Sequence, residues 1–404
     1  MALGWQGLVM ENIRTSTTHA FWLMASVVLV ALNLRPSMAA IGPLLSAIRG
    51  DIPLSFSLAS LLTMLPVMAM GLGMFFGMRL ARSLGEHRAI GLSLLVIGIA
   101  SASRLFIDGA VELIVSAVLS GLGIAMIQAL MPALIKTRFK DNVSLFMGLY
   151  VTSIMGGAAL AASFSPFVLK QSGSWKVSLA IWGVLALLAL VLWTFQRSAI
   201  PVVEAAPKGK ADSFSAKPRA WLLAVFFGLG TASYTCVLAW LAPYYVERGW
   251  SEQDAGLVLG FLTAMEVLAG LAVPAMVNQT RDKRWALAAL LLLIIAGFSG
   301  LILSFEHLTM LWPCLLGLGI GGLFPMSLII SMDHIDNPAR AGSLTAFVQG
   351  IGYLIAGLSP LLAGVIRDQS GSFEGAWWTL TAVMVVMIGI VLRFNPRQYK
   401  ERIR

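Results

Sequence analysis

Twelve stretches of predominantly apolar residues follow one another along the chain, at about 20–48, 54–79, 89–107, 111–135, 144–168, 176–196, 220–246, 254–277, 285–304, 310–332, 341–366 and 375–394. A hydrocarbon layer about 30 Å thick is crossed by roughly 20 helical residues at 1.5 Å each. Each stretch is therefore long enough to cross a bilayer. Backbone groups in lipid must find their hydrogen bonds inside the segment, so all twelve are predicted to be helices. The first stretch runs well past the apolar region of a signal peptide and has no small-residue cleavage site, which predicts a retained span rather than a cleaved leader.

Composition agrees with this pattern. Of 404 residues, 58% are hydrophobic and 12% charged, about half the ~25% charge of a soluble domain. That balance argues against a soluble enzyme, a disordered chain and a disulfide scaffold. The formal charge of +9 raises the question of nucleic acid, and the positions of the charges answer it. Arg49, Lys170, Lys176, Arg248 and Arg367 fall in one set of loops, and Arg35 and Arg104 fall inside spans. Every other Lys and Arg lies on the side of the two chain ends. By the positive-inside rule that side is cytoplasmic, and the basic balance needs no nucleic acid. Cys236 and Cys314 sit in apolar stretches and read as small packing residues. No cysteine or histidine spacing fits a metal, and no nucleophile elbow, zincin or phosphate-loop motif occurs. No cofactor is expected, and nothing in the chain reads as an enzyme.

The chain repeats itself with an offset of about 200 residues. Gly121-Leu122-Gly123-Ile124 returns as Gly317-Leu318-Gly319-Ile320, and Ser165-Pro166 as Ser359-Pro360. Gln171-Ser172-Gly173-Ser174 returns as Gln369-Ser370-Gly371-Ser372, Trp22-Leu23 as Trp221-Leu222, and Pro43 as Pro243. The polar stretch 198–219, rich in Ala, Pro, Lys and Ser, lies between the copies and reads as a cytoplasmic linker. The predicted division is an N-terminal six-helix half at 1–197, the linker at 198–219, and a C-terminal six-helix half at 220–404. Parallel repeats of this kind place a substrate site between the halves near the midplane.

Three ionisable residues remain deep in spans: Arg35, Arg104 and Glu266. A charge at the bilayer centre costs about 2.5–3.5 kcal/mol on insertion scales, so each needs a cavity or a partner. Arg35, in Asn33-Leu34-Arg35-Pro36, is too deep to reach either interface. Its planar fork suits a small anion, and a structural ion pair is the competing reading. Arg104 follows Arg88 by about 24 Å of helix. It could snorkel to the outer headgroups, pair at the helix end, or belong to an anion path. Glu266 is the one acid deep in a span, in the other half from Arg35, and reads either as a proton-coupling group or as a fixed counter-ion. Tyr234 stands in span seven where Arg35 stands in span one. Gln128, Trp240, Gln349 and Tyr353 are further candidates to line a cavity, with interhelical packing as the alternative.

Asn33-Leu34-Arg35-Pro36 through Gly42-Pro43-Leu44-Leu45 resembles the first helix of the cyanate permease-like group of the major facilitator superfamily. The likeness extends to Leu62-Thr63-Met64-Leu65-Pro66-Val67, to Gly121-Leu122-Gly123-Ile124 with Gln128 and Met131-Pro132, and to Gly319 to Pro325. Asp333-His334 and Gln349-Gly350-Ile351-Gly352 are similar as well. The resemblance runs from about residue 25 to 395. It departs from the wider superfamily in the loop after span two, where Gly77 to Arg88 keeps glycine and basic residues without an Asp.

The resemblance implies an all-α membrane protein with twelve transmembrane helices in two pseudo-symmetric halves. It implies a monomeric secondary transporter of the bacterial inner membrane, with both termini cytoplasmic. The substrate expected is a small molecule, an anion of the cyanate kind, with Arg35, Arg104, Gln128, Tyr234, Trp240 and Gln349 contacting it and Glu266 coupling protons. The same group carries 2-nitroimidazole, so a transporter or exporter of small neutral heteroaromatics stays open as an alternative. A transport-dead membrane sensor is a different-class alternative. It would ordinarily carry a folded output domain, which the linker is too short to form.

Overall fold

The computed structural model describes residues 22–139, 143–196, 214–277, 280–303 and 308–399. Most of the expected linker lies outside the described residues. Twelve helical spans are present among those described. In chain order they are α1 (Trp22–Ala39, continued after Ala40 by Ile41–Asp51), α2 (Phe56–Leu84), α3 (Glu86–Ser103), α4 (Ala110–Arg138), α5 (Val143–Ser172) and α6 (Trp175–Ala180 and Trp182–Thr194). The second set is α7 (Pro218–Glu247), α8 (Glu252–Val277), α9 (Arg284–Leu303), α10 (Leu311–Asp333), α11 (Pro338–Ser370) and α12 (Glu374–Leu392). Several helices outrun the apolar stretches that predict them. α11, for example, extends beyond 341–366 at both ends, because helix continues into the polar layer where lipid no longer selects apolar side chains.

The two sets pack alike. α2 and α3 pack on α4 as α8 and α9 pack on α10, and α3 meets α6 as α9 meets α12. The repeated glycine motif makes these contacts. A Cβ on Gly121 would lie 2.5 Å from Pro66 of α2, and one on Gly123 would lie 2.8 Å from the Ser93 carbonyl of α3. Their counterparts Gly317 and Gly319 sit equally close to Leu262 of α8 and to Ile294 and Leu290 of α9. Glycine here lets helix backbones touch, the main source of helix association in lipid.

The second repeat is a helix stop. Gly173 and Gly371 both take positive φ, 68° and 75°. Their N–H groups return to the carbonyls of Leu169 (2.8 Å) and Arg367 (3.0 Å). Glycine adopts this left-handed cap without strain, which ends α5 and α11 in the same way. Trp22 and Trp221 are half-exposed at the starts of α1 and α7, where indole rings favour the membrane interface.

The halves meet along two symmetry-related seams, α2 with α11 and α5 with α8. The segment Ile41–Asp51 of α1 adds contacts to α7. An even number of spans places Trp22 and Tyr399 on one face, the near face. The α1–α2 connection lies on the far face, and the halves are bound together there. Asp368 at the end of α11 accepts hydrogen bonds from the first N–H groups of α2, Phe56 (2.9 Å) and Ser57 (2.8 Å). The Arg49 and Arg367 guanidinium groups lie 3.9 and 4.7 Å from the Phe56 ring centroid, and Arg367 also pairs with Glu247 at 2.9 Å.

Candidate functional site: a buried arginine and glutamate in one cavity

The site begins with a break in α1. Pro36 has no N–H, so the Leu32 carbonyl loses its helical donor, and the ring disfavours helical geometry in the residue before it. The helix interrupts at Asn33–Arg35, with Arg35 at φ −125° and ψ −23°. Three features hold the break. Asn33 Nδ2 donates to the carbonyl of Leu29 at 2.7 Å and to that of Leu185 in α6 at 3.4 Å. The Arg35 carbonyl accepts from Met38 and Ala39, which restarts the helix. Gly157 of α5 rests directly on the Leu32 carbonyl, where any side chain would collide.

The break aims Arg35 at the interior, 3% exposed. Its Nη1 lies 3.7 Å from Met70 Sδ. Its guanidinium carbon lies 5.3 Å from the centroid of Tyr234, the residue that holds the corresponding place in α7. Tyr353 of α11 presents its hydroxyl to the same guanidinium, and Tyr150 of α5 is near enough to feel its charge. Three of the six tyrosines in the chain thus gather around one arginine. Arg35 Nε and the hydroxyls of Tyr150 and Tyr234 have no hydrogen-bond partner.

Glu266 of α8 is also 3% exposed, and neither carboxylate oxygen has a hydrogen-bond partner. Gly321 of α10 packs against the Glu266 backbone so closely that a Cβ would overlap it, which fixes α8 at this level. Arg35 and Glu266 form no ion pair with each other. They line the same cavity, of about 170 Å³, with Tyr234 between the halves. The remaining wall comes from α5 (Val151, Thr152, Met155), α7 (Phe226, Phe227, Thr231), α8 (Leu271) and α10 (Leu323, Phe324, Leu328). A buried guanidinium, a buried carboxyl group and several orphaned polar atoms in an apolar chamber cost stability. Their placement fits a chamber built for a polar guest.

Of the predicted site residues, the structure brings Arg35, Tyr234 and Glu266 together at the cavity. Arg104 is elsewhere. It is fully buried at the end of α3, donating from Nε to Ser116 Oγ at 3.1 Å and from Nη1 to the Ser37 carbonyl at 3.3 Å. It neither reaches a headgroup nor lines the cavity. It braces the α1 turn that follows Arg35. Trp240 is placed in the far-face cluster with Phe56 and Phe373, its indole N–H donating to the Pro360 carbonyl at 2.9 Å. Gln128 on α4 and Gln349 on α11 are half-buried and lie outside the cavity lining. Tyr150, Met70 and the ring wall of Phe226, Phe227 and Phe324 were not anticipated. Tyr150 had one signal, a phenol inside an apolar span.

Asp333-His334 belongs to a separate cluster at the near face. Arg219 of α7 donates from Nε to His334 Nε2 at 3.0 Å and from Nη1 to the Arg393 carbonyl at 3.0 Å. His334 Nδ1 lies 2.7 Å from the Ile330 carbonyl, and its ring stacks on Tyr399. With Nε2 accepting, the proton sits on Nδ1 and the ring is neutral. Burial, together with the Arg219 charge, pushes His334 down to about 4.

Twelve spans in two repeated sets, with a cavity lined by buried ionisable residues between them, define a secondary-transporter fold. The chain belongs to the Major Facilitator Superfamily, whose family model matches residues 21–357. It is 38% identical to the cyanate transport protein CynX of Escherichia coli (strain K12) over 94% of this chain and 98% of the relative. It is 28% identical to the 2-nitroimidazole transporter of the same organism, over 92% of this chain and 93% of the relative. Among solved structures, it resembles the D-xylose-proton symporter with a TM-score of 0.75 at 13% identity, covering 95% of this chain and 99% of that one. The protein is a multi-pass membrane transporter of a small molecule and not an enzyme.

Proposed function

We propose that this protein carries a small monovalent anion, with cyanate as the first candidate, across the bacterial inner membrane by alternating access. In this reading Arg35 is the anion ligand and Glu266 carries a proton in the same loaded state. The observation that carries the proposal is a buried guanidinium and a buried carboxyl group that face one cavity without bonding each other. Arg35 retains an orphaned Nε, and Glu266 retains two orphaned oxygens. An anion docked on the guanidinium satisfies the first and adds one negative charge. A proton on Glu266 removes one, so the chamber keeps its net charge when anion and proton load together. Binding of each then favours the other, because linkage is reciprocal. The relative at 38% identity supports cyanate as the ion to test first.

The halves 1–197 and 220–404, joined through 198–219, are read as the rocking units, with the far-face contacts as the closed gate. The near face, with both termini, is the cytoplasmic one on the positive-inside rule, and the working unit is a monomer. The test is uptake of labelled cyanate into proteoliposomes under an imposed proton gradient. The parent is expected to accumulate the label. Arg35→Lys, which keeps charge but loses the planar fork, should accumulate far less, and Arg35→Gln none. Uptake by Arg35→Gln equal to the parent would overturn the assignment.

A further inference from the structure

The cavity is larger than a cyanate-sized ion requires. A three-atom ion needs roughly the space of one or two waters, about 30–60 Å³, whereas a cavity of about 150 Å³ lined by Leu, Ile and Phe accepts benzene. The cavity here is about 170 Å³. Its length points the same way. Tyr234, beside the guanidinium, and Phe227 both line it, and seven residues along α7 separate them by about 10 Å.

The wall beyond Arg35 has the chemistry of a ring site. Phe226, Phe227 and Phe324 face the chamber, with Leu323 and Leu328 beside them. Phe227 and Phe324 have centroids 5.4 Å apart and planes tilted by 53°, within the range in which a further ring can stack or meet an edge. Gly230, between Phe227 and Tyr234 on α7, lets this helix lie close to Leu323, which a Cβ there would already touch. The Thr231 hydroxyl on the same helix lines the cavity without a hydrogen-bond partner.

We infer that this compartment is a subsite for a planar ring, and that the carrier binds single-ring aromatic carboxylates more tightly than bare small anions. The carboxylate sits on Arg35, and the ring lies among Phe226, Phe227 and Phe324. A bare anion fills only the charged end and leaves the apolar lining without contacts, forfeiting the dispersion and burial that a ring recovers. The inference rests on Arg35 as the anion ligand and goes beyond it by assigning the body of the substrate.

Binding of benzoate, formate, cyanate and neutral benzamide to the purified full-length protein tests it. Benzoate should bind at least tenfold more tightly than formate, cyanate and benzamide. Phe324→Leu, which keeps the wall apolar, should weaken benzoate at least fivefold, and more than it weakens cyanate. Should that variant fold poorly, the ligand series on the parent decides alone. Benzoate binding no tighter than formate and cyanate, with all three competing, would overturn the ring subsite and leave the anion assignment standing. Benzoate binding unchanged in Arg35→Gln would overturn both.

Discussion

The far-face contact between Asp368 and the start of α2 ties the C-terminal half to the N-terminal one across the α2–α11 seam. Its removal should therefore change a conformational equilibrium. Asp368→Ala deletes an acceptor for two N–H groups, at 2.9 and 2.8 Å, and a negative charge at a helix N-terminus. Charge-assisted hydrogen bonds contribute about 1.5–3 kcal/mol when buried, and the helix-terminus effect 0.3–1 kcal/mol. Asp368 is exposed, so solvent screening brings the expected total down to roughly 1 kcal/mol. A loss of that size shifts a two-state population about fivefold. The Arg49 and Arg367 contacts to Phe56 remain, so the gate should loosen without coming apart. Spin labels at Val111 and Leu311, both exposed near the far-face ends of α4 and α10, placed in a protein lacking its two native cysteines, report the separation of the halves there. The longer-distance population should rise about fivefold in Asp368→Ala, and Asp368→Asn should fall between the two because it keeps one carbonyl acceptor. A distance distribution identical to the parent in both variants would refute the reasoning.

Three further outcomes follow from the packing. Gly321→Ala places a methyl group into the Glu266 backbone. Overpacking of this kind costs about 1–3 kcal/mol, so a lowered melting temperature and lost uptake are expected, and parental values in both would contradict the close-contact account. His334 is held neutral, well below its unfolded value near 6.5, with Arg219, Tyr399 and Asp333 beside it. Its contribution is complete above about pH 6.5 and is lost as pH falls from there toward 4, on the order of 2–3 kcal/mol. Melting curves at pH 7 and pH 5 should show that loss in the parent and a smaller one in His334→Asn. Arg104→Lys keeps the charge but cannot reach Ser116 and the Ser37 carbonyl with one fork. Anion affinity should fall severalfold through displacement of Arg35, and the proton stoichiometry should stay unchanged.

Depth in the membrane could be read from the chain, but direction around each helix could not. Run length located the spans. The expense of a charge in lipid singled out Arg35 and Glu266, and the structure places both at one cavity. The repeats proved to be helix contacts and helix stops, as Gly121 with Gly317 and Gly173 with Gly371 show. Trp240, Gln128 and Gln349 were placed at useful depths, yet none of them lines the cavity, and Trp240 turns to the Pro360 carbonyl instead. A span buried between lipid and protein is apolar all round, so it carries no amphipathic stripe to say which face meets a cavity. Phe226 and Phe324 escaped notice for the same reason, since a phenylalanine facing a chamber reads like one facing lipid. Arg104 was legible only in part: of the readings its depth allowed, pairing at the helix end is the one the structure shows, with Ser116 twelve residues on in α4 and the Ser37 carbonyl of α1 as partners.

The central claim is that Arg35 and Glu266 load an anion and a proton together. Calorimetric titration of the purified protein with cyanate, run in two buffers of different ionisation enthalpy at a pH high enough to leave Glu266 ionised in the empty protein, counts the protons taken up per anion bound. The account predicts net proton uptake approaching one per anion in the parent. It predicts none in Glu266→Gln, with cyanate affinity retained in that variant, because glutamine stands in for the protonated acid. Zero proton uptake in the parent, or the same uptake in both proteins, would contradict it.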